Sequence, residues 1–253
     1  MRQTIQDFKL KMPSNSSIYS NFRHSLTQHC NFMKPIIKLQ GQEKESLLNT
    51  TQGLIDKINR EIPMLKKSIT EVPNANLANE ISYHFASVPL LLRLSMLDIC
   101  ILFKLFLESN SDTEQNLMIR LICGQLYEFS EDVPTMFGKK YRELLNNFPG
   151  TFNLNETLNK DVIREFQNCK QSNVDFLKTI RHNVSHHKDI DALWQYYLIN
   201  DIDFNWGIQA YMDFVEWFVS SYSDFELTLI NIAMTQNKNG SQHGFVASGG
   251  RRK

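Results

Sequence analysis

One arginine, three histidines and two lysines lie together in the segment LKTIRHNVSHHKD, residues 177–189. Arg181 offers a permanently charged, planar fork of N–H donors that suits phosphate oxygens, and His186 can exchange a proton near neutral pH. These two groups are the parts needed to cleave RNA without a metal. The histidine would move a proton at the ribose 2′-OH or at the departing 5′-oxygen, while the arginine stabilises the charge that develops on phosphorus.

The residues around this pair are mostly polar or basic. Lys178 and His182 make the neighbourhood locally positive, and with Asn183 and His187 they form the supporting set of the predicted site. His187 also fits a structural role at the edge of the core, because on a helix it lies nearly in line with Ile180. No cluster of carboxylates with metal-binding spacing occurs nearby, so the nucleophile would come from the substrate, and single-stranded RNA supplies its 2′-OH.

A helix is predicted to position these groups. Phe176, Ile180 and Val184 follow one another at intervals of four residues, which is the spacing of a helix face that packs on a core. On that helix Arg181 and His186 would flank the apolar line on opposite sides, about 140° apart at 100° per residue. They can therefore meet at one ligand only near a helix end or across a second subunit.

Helical periodicity extends over most of the chain, and no segment alternates with the period of a strand between turn signals. We therefore predict an all-α fold, a helical bundle. The first predicted helix begins near Glu45, with a kink or boundary at Pro63, and the second runs from Ser87 and Pro89 to Glu108. A third begins at a Ser111–Glu114 capping box and ends before Pro134. Another begins at a Ser172–Asp175 capping box, and the last fills residues 205–236. The side chains predicted to be buried are Leu97, Ile101, Leu121, Phe176, Ile180, Val184, Phe214 and Phe218.

The pattern divides the chain into a loosely ordered polar arm (1–43), an all-α domain (44–236) and a disordered tail (237–253). The 27 Lys and Arg residues balance the 27 Asp and Glu residues, so a polyanion would have to be bound locally. The four cysteines show no close pairs, which favours buried free thiols. No apolar signal segment or membrane span is evident, which predicts a cytoplasmic protein without a membrane partner.

The residues IRHNVSH resemble the R-x4-6-H signature of the HEPN superfamily, in which an apolar residue precedes the arginine, a polar residue follows it and a small residue precedes the histidine. The places are filled by Ile180, Arg181, His182, Val184, Ser185 and His186. The resemblance covers this motif and, loosely, residues 80–235. It implies a HEPN-type helical bundle in which Arg181 and His186 are the catalytic residues.

The same resemblance implies an activity and partners. Many HEPN proteins are metal-independent endoribonucleases that act as toxins or phage-defence effectors, and a homodimer brings two motifs into one cleft. The chain is thus expected to need no cofactor, to cleave single-stranded RNA and to form a homodimer. A toxin also needs restraint, which an antitoxin, another regulatory protein, an inhibitory arm or activation by phage components would each provide.

Other interpretations stay open. Some HEPN members have lost activity, so the chain could be a non-catalytic module that binds a protein or RNA partner, with the aromatic residues between Trp206 and Tyr222 as a docking patch if they are exposed. A zinc site is a third interpretation, because His182 and His186 lie four residues apart. Its remaining ligand would come from His187, Asp189, Asp191 or His84.

Two further features bear on the site. Arg23 and His29 repeat the spacing of the motif, but they lie in the polar arm, where we expect no bundle around them. The charged residues Asp98, Arg120 and Glu128 fall within or beside apolar helical runs, where charges should be paired. Structural ion pairs are the simpler interpretation, and orientation of Arg181 or His186 is the alternative.

Overall fold

The computed structural model describes residues 41–70, 77–147, 153–182, 202 and 204–230. All elements in these ranges are helical, which confirms the predicted all-α class. The α-helices are α1 (Gln42–Thr70), α2 (Leu77–Glu108), α3 (Asp112–Met136), α4 (Lys139–Asn147), α5 (Leu154–Thr157), α6 (Arg164–Ile180) and α7 (Phe204–Trp217). A π-helical turn, Leu158–Ile163, joins α5 to α6, and a second one, Phe218–Tyr222, continues α7 into a further helical stretch, 223–230.

Helix α2 contributes the largest apolar surface to the core. Met96, Ile99 and Phe103 are fully buried, and the ring of Phe103 stacks on that of Tyr211 in α7 at 3.7 Å between centroids. Helices α1 and α3 pack along α2 on either side of this contact. Burial of this one face supplies the hydrophobic driving force that holds the long helices together.

The opposite face of α2 is less covered by described residues than the face that packs on the core. Ile101 on α2 and Leu121 on α3, both predicted to be buried, are exposed. The prediction was wrong because a helix that is apolar nearly all round carries no signal for which side its neighbours leave open. Ile180, Phe214 and Phe218 are buried as predicted, Leu97 and Phe176 are partly buried, and Val184 lies outside the described residues.

Three prolines that were predicted at a kink or boundary (Pro63), at a helix start (Pro89) and beyond a helix end (Pro134) all lie inside helices. Pro63 falls within α1, Pro89 within α2 and Pro134 within α3. A proline inside a helix costs about 3 kcal/mol, which the tertiary burial of a long apolar helix can offset. Helix α2 therefore starts at Leu77 rather than at Ser87, and α3 runs on to Met136.

The two predicted capping boxes had different outcomes. Ser111 caps α3, because its Oγ accepts a hydrogen bond from the backbone N–H of Glu114 at 3.4 Å. Ser172 does not start a helix, because it lies inside α6 and its hydroxyl donates to the carbonyl of Asn168 at 3.0 Å. A serine in a helix can make either bond, and the sequence does not show which carbonyl is in reach.

Helix α6, which carries the predicted motif, is anchored by aromatic residues at its start. Phe166 packs edge to face against Phe129 of α3 and Phe214 of α7. The indole N–H of Trp217 donates to the carbonyl of Val162, in the preceding π-helical turn, at 2.9 Å. These contacts fix the direction of α6, so that its last turn ends beside the middle of α3.

The aromatic residues of α7 and its continuation belong mainly to the core. Tyr211, Phe214 and Trp217 are buried, and so are Phe218 and Tyr222. Trp206 is half exposed and packs against Phe176 of α6, with ring centroids 6.1 Å apart. Among the described helices, none has the length and the apolar run that crossing a bilayer would need.

Candidate functional site

Arg181 lies at the end of α6, where its Nε donates a hydrogen bond to Oε1 of Glu128 on α3 at 2.6 Å. The two side chains are 20% and 43% exposed, so the pair sits at the surface with the carboxylate more open to water than the guanidinium. A charge-assisted bond of this length restricts the orientation of the guanidinium plane. The bond pairs Glu128 with Arg181, which fits both interpretations of Glu128 from the sequence, a structural ion pair and a group that orients Arg181.

His182 follows Arg181 and packs edge to face against the ring of Tyr127, with centroids 5.6 Å apart. Tyr127 directly precedes Glu128 on α3. Two consecutive residues of α3 thus hold two consecutive residues at the end of α6. No spacing rule in the sequence links residues so far apart along the chain, so this part of the site could not be derived before the helix packing was known.

The structure places only part of the predicted site. Arg181, His182 and the exposed side chain of Lys178 are described. Asn183, His186 and His187 lie outside the described residues. The predicted pairing of Arg181 with His186 therefore stays a prediction, and so does the 140° divergence between them.

The zinc interpretation also depends on residues that lie outside the described ranges. Within the described part of the chain, no three His, Cys, Asp or Glu side chains come together as a metal-binding group. His182 and His84 are described, whereas His186, His187, Asp189 and Asp191 are not. A zinc site formed by His182 with those residues therefore stays a prediction.

A second charged cluster, which the sequence did not predict, is centred on Arg93 of α2. Its Nη1 and Nη2 donate to the two carboxylate oxygens of Glu226 at 2.9 and 2.6 Å. Its Nε donates to Glu61 of α1 at 2.6 Å. The cluster links α1, α2 and the stretch 223–230, and a fourth bond runs from Nη1 to the carbonyl of Pro89 at 3.4 Å.

Burial and pairing assign this cluster a structural role. The side chains of Arg93 and Glu226 are 8% and 9% exposed. Burial alone would lower the pKa of Arg93, but the hydrogen bonds and charge of Glu226 outweigh it and raise that pKa further. With its guanidinium enclosed by two carboxylates, Arg93 has little capacity left to bind an anionic substrate.

The described cysteines do not supply a nucleophile. Burial raises the pKa of both Cys100 and Cys123 to about 12. Burial also raises the pKa of Cys169, and the nearby charges of Asp213 and Glu216 raise it further. Only a thiolate attacks efficiently, so at neutral pH these thiols are protonated and act as packing groups, as predicted for Cys100 and Cys123.

Comparison of the chain with protein-family models, with curated proteins and with solved structures finds no match. The site is therefore judged on its own geometry. Its chemistry-bearing part is the surface pair of Arg181 and Glu128 with His182 beside it, since the Arg93 cluster is internally paired.

Proposed function

We propose that the protein is a metal-independent endoribonuclease of the HEPN type that cleaves single-stranded RNA, as a toxin or phage-defence effector. The observation that supports this most is the placement of Arg181 at the end of α6, bonded to Glu128 and partly open to solvent. A transition-state arginine needs that combination, because it must be held in one orientation and still reach a phosphate.

Glu128 occupies the Nε donor of Arg181, and a guanidinium has four further N–H donors on its two terminal nitrogens. In the proposed reaction those donors bind the scissile phosphate while Glu128 holds the plane of the group. His186 moves the proton at the 2′-OH or at the leaving 5′-oxygen. The nucleophile is the ribose 2′-OH, so that DNA is not a substrate.

A homodimer is part of the proposal. On one helix Arg181 and His186 would diverge by about 140°, and two copies of the motif in one cleft would allow a group from each chain to act on the same phosphate. An antitoxin or another regulatory protein is the expected partner in the cell.

The reaction products provide the test. We expect purified protein to cleave single-stranded RNA and to leave DNA of the same sequence intact, at a rate that EDTA does not reduce. The products should carry a 2′,3′-cyclic phosphate, or its hydrolysed 3′-phosphate, and a 5′-hydroxyl, because attack by the 2′-OH expels the 5′-oxygen. Products with 5′-phosphates that form only with Mg²⁺ would show that the mechanism is wrong.

Glu128 offers a test of the positioning step. We expect Glu128→Ala to lower RNA cleavage about tenfold, the range seen when a group that orients a functional residue is removed. Glu128→Gln should restore much of the rate, because an amide oxygen can still accept from Nε of Arg181. Initial rates on one RNA measure both effects.

Glu131→Ala is the matched control for Glu128. Glu131 also lies on α3 and pairs with Lys170 of α6 at 2.8 Å, so this variant removes a similar bond between the same two helices. It should cleave at the wild-type rate. Equal losses in the Glu128→Ala and Glu131→Ala variants would mean that α3 supports α6 only structurally.

The charge distribution favours a second candidate function, that of a non-catalytic module for a protein partner. Residues 41–230 contain 17 Lys and Arg against 26 Asp and Glu, a net charge of −9. An acidic body repels nucleic acid except where a local positive group offsets the field. A pure preparation that neither binds nor cuts RNA would favour this candidate.

A further inference from the structure

The described part of the chain exposes one concentrated apolar surface. Seven of its eleven exposed large apolar side chains lie on α2 and α3, and six of these, all except Tyr83, lie between positions 91 and 121 and are 38% to 48% exposed. The six are Leu91, Leu94, Ile101 and Leu105 on α2 and Leu117 and Leu121 on α3. We call this set the α2–α3 apolar face. Single exposed leucines are ordinary, but a contiguous group of this size marks a contact surface.

Helix geometry makes the six side chains contiguous. On α2 they recur at intervals of three, seven and four residues, which keeps them on one side of the helix. Helix α2 ends at Glu108 and α3 begins at Asp112, so the two are antiparallel neighbours. Leu105 and Leu117 are consequently close to the turn that joins the helices, and Leu94 and Leu121 lie further from it.

The charged side chains that border this face are mainly acidic, with the partly buried Arg120 of α3 as an exception. Asp98 is exposed between Leu94 and Ile101 on the same side of α2, and Glu108, Asp112 and Glu114 are exposed at the turn. The basic residue nearest to the turn on α2, Lys104, pairs with Glu108 at 3.5 Å. A second copy of the chain would place this acidic border against itself, which opposes association. An occupant with apolar residues and positive charge is favoured.

Residues 1–40 have both properties. They contain six Lys and Arg against one Asp, a net charge of +5, in contrast to −9 for residues 41–230. Ile18, Phe22, Leu26 and Met33 are spaced by four, four and seven residues. This spacing would place the four side chains on one side of a helix, matched in kind to an apolar face with an acidic border.

The N-terminal segment also joins the body at the correct end of the face. Glu61 of α1 bonds to Arg93 of α2, and only six residues separate the end of α1 at Thr70 from the start of α2 at Leu77. The two helices are therefore antiparallel, and lower residue numbers on α1 lie beside higher residue numbers on α2. Gly41, at the start of α1, is accordingly level with the last turn of α2.

The distances suit docking within one chain. The apolar face extends from Leu105 to Leu91, about 21 Å along α2 at the rise of an α-helix. The preceding 40 residues are several times longer than that when extended. Gly41 has a positive φ of 67°, a conformation that lets the chain turn away from the axis of α1.

We propose that the N-terminal segment docks onto the α2–α3 apolar face of its own chain, with residues 18–33 covering Leu94, Ile101 and Leu121. The basic side chains of the segment then face the acidic border. This proposal does not depend on the endoribonuclease function.

Hydrogen exchange of the full-length protein tests the proposal. We expect amides in residues 18–33 to exchange at least about tenfold more slowly than in an unstructured peptide, because docking protects their hydrogen bonds. The double variant Ile101→Gln/Leu121→Gln should remove this protection, and so should Phe22→Ser/Leu26→Ser. Leu227→Gln is the control, since Leu227 is 53% exposed outside the face, and it should retain the protection. Circular dichroism confirms that each variant stays folded.

Four results would overturn the proposal. In the first, residues 18–33 of the wild type exchange as fast as the free peptide. In the second, their protection survives the Ile101→Gln/Leu121→Gln change. In the third, protection rises with protein concentration, or that change turns a dimer into a monomer, which would make a second copy the occupant. In the fourth, the change releases residues 231–253, which are also basic, in place of residues 18–33.

Discussion

Arg181→Ala is expected to reduce RNA cleavage by roughly 10²-fold or more, and His186→Ala by a similar factor, because each removes a group that acts mainly in the transition state. Substrate affinity should change much less than the rate of the chemical step. Single-turnover rates at saturating protein, together with RNA binding by each variant, separate the two quantities. Circular dichroism should show an unchanged helical fold.

The double variant Arg181→Ala/His186→Ala discriminates catalysis from binding. Residues that act as a unit are strongly non-additive, so the two changes together should cost far less than the product of the single effects. If the two residues were independent contacts to RNA, the fold-losses of the single variants would instead multiply. Arg23→Ala is the control in the second copy of the motif spacing and should cleave at the wild-type rate. A large loss in that variant would mean that Arg23 and His29 form the motif that matters.

Glu226→Ala is expected to destabilise the fold by about 3–5 kcal/mol, because it removes the bidentate partner of a buried arginine. Arg93 would retain Glu61, which is 29% exposed, as its one described carboxylate partner, together with the carbonyl of Pro89. Thermal or urea unfolding followed by circular dichroism measures the change. Glu131→Ala, which breaks the surface pair with Lys170, should cost less than about 1 kcal/mol.

A double change at the same cluster checks the cause. Arg93→Met/Glu226→Leu removes both charges and leaves apolar groups of similar size, so it should be more stable than Glu226→Ala alone. If the double variant is less stable than Glu226→Ala, the cluster stabilises the fold mainly through net attraction between its charges. The cost of leaving one buried charge unpaired would then be the smaller effect.

The sequence predicted the features that depend on local pattern. Helical class follows from apolar spacing, and the cap at Ser111 follows from a serine three residues before a glutamate. Features that depend on neighbours far along the chain were not predictable. Nothing local in Ile101 distinguishes its exposed side of α2 from the buried side of Phe103, because both residues belong to one continuous apolar run.

The candidate site shows the same division. The residue types of Arg181 and His186 indicated phosphate chemistry, but Glu128 and Tyr127, which Arg181 and His182 contact, come from another helix. The prolines Pro89 and Pro134 argued for helix ends by local preference, and tertiary packing overrode that preference. The pairing of Arg93 was not predictable from local pattern, since its partner Glu226 is 133 positions away.

Because of the π-helical turn Phe218–Tyr222, the direction in which residues of the last helix point depends on the exact number of residues in that turn. A wide turn of this kind accommodates one extra residue, so the helix beyond it is rotated by about 100° relative to an uninterrupted α-helix. Glu226, which bonds to Arg93, lies four residues beyond that turn. Homologous chains should therefore tolerate changes of residue type between positions 218 and 226 far better than a gain or loss of a single position, since either would turn the carboxylate away from its partner.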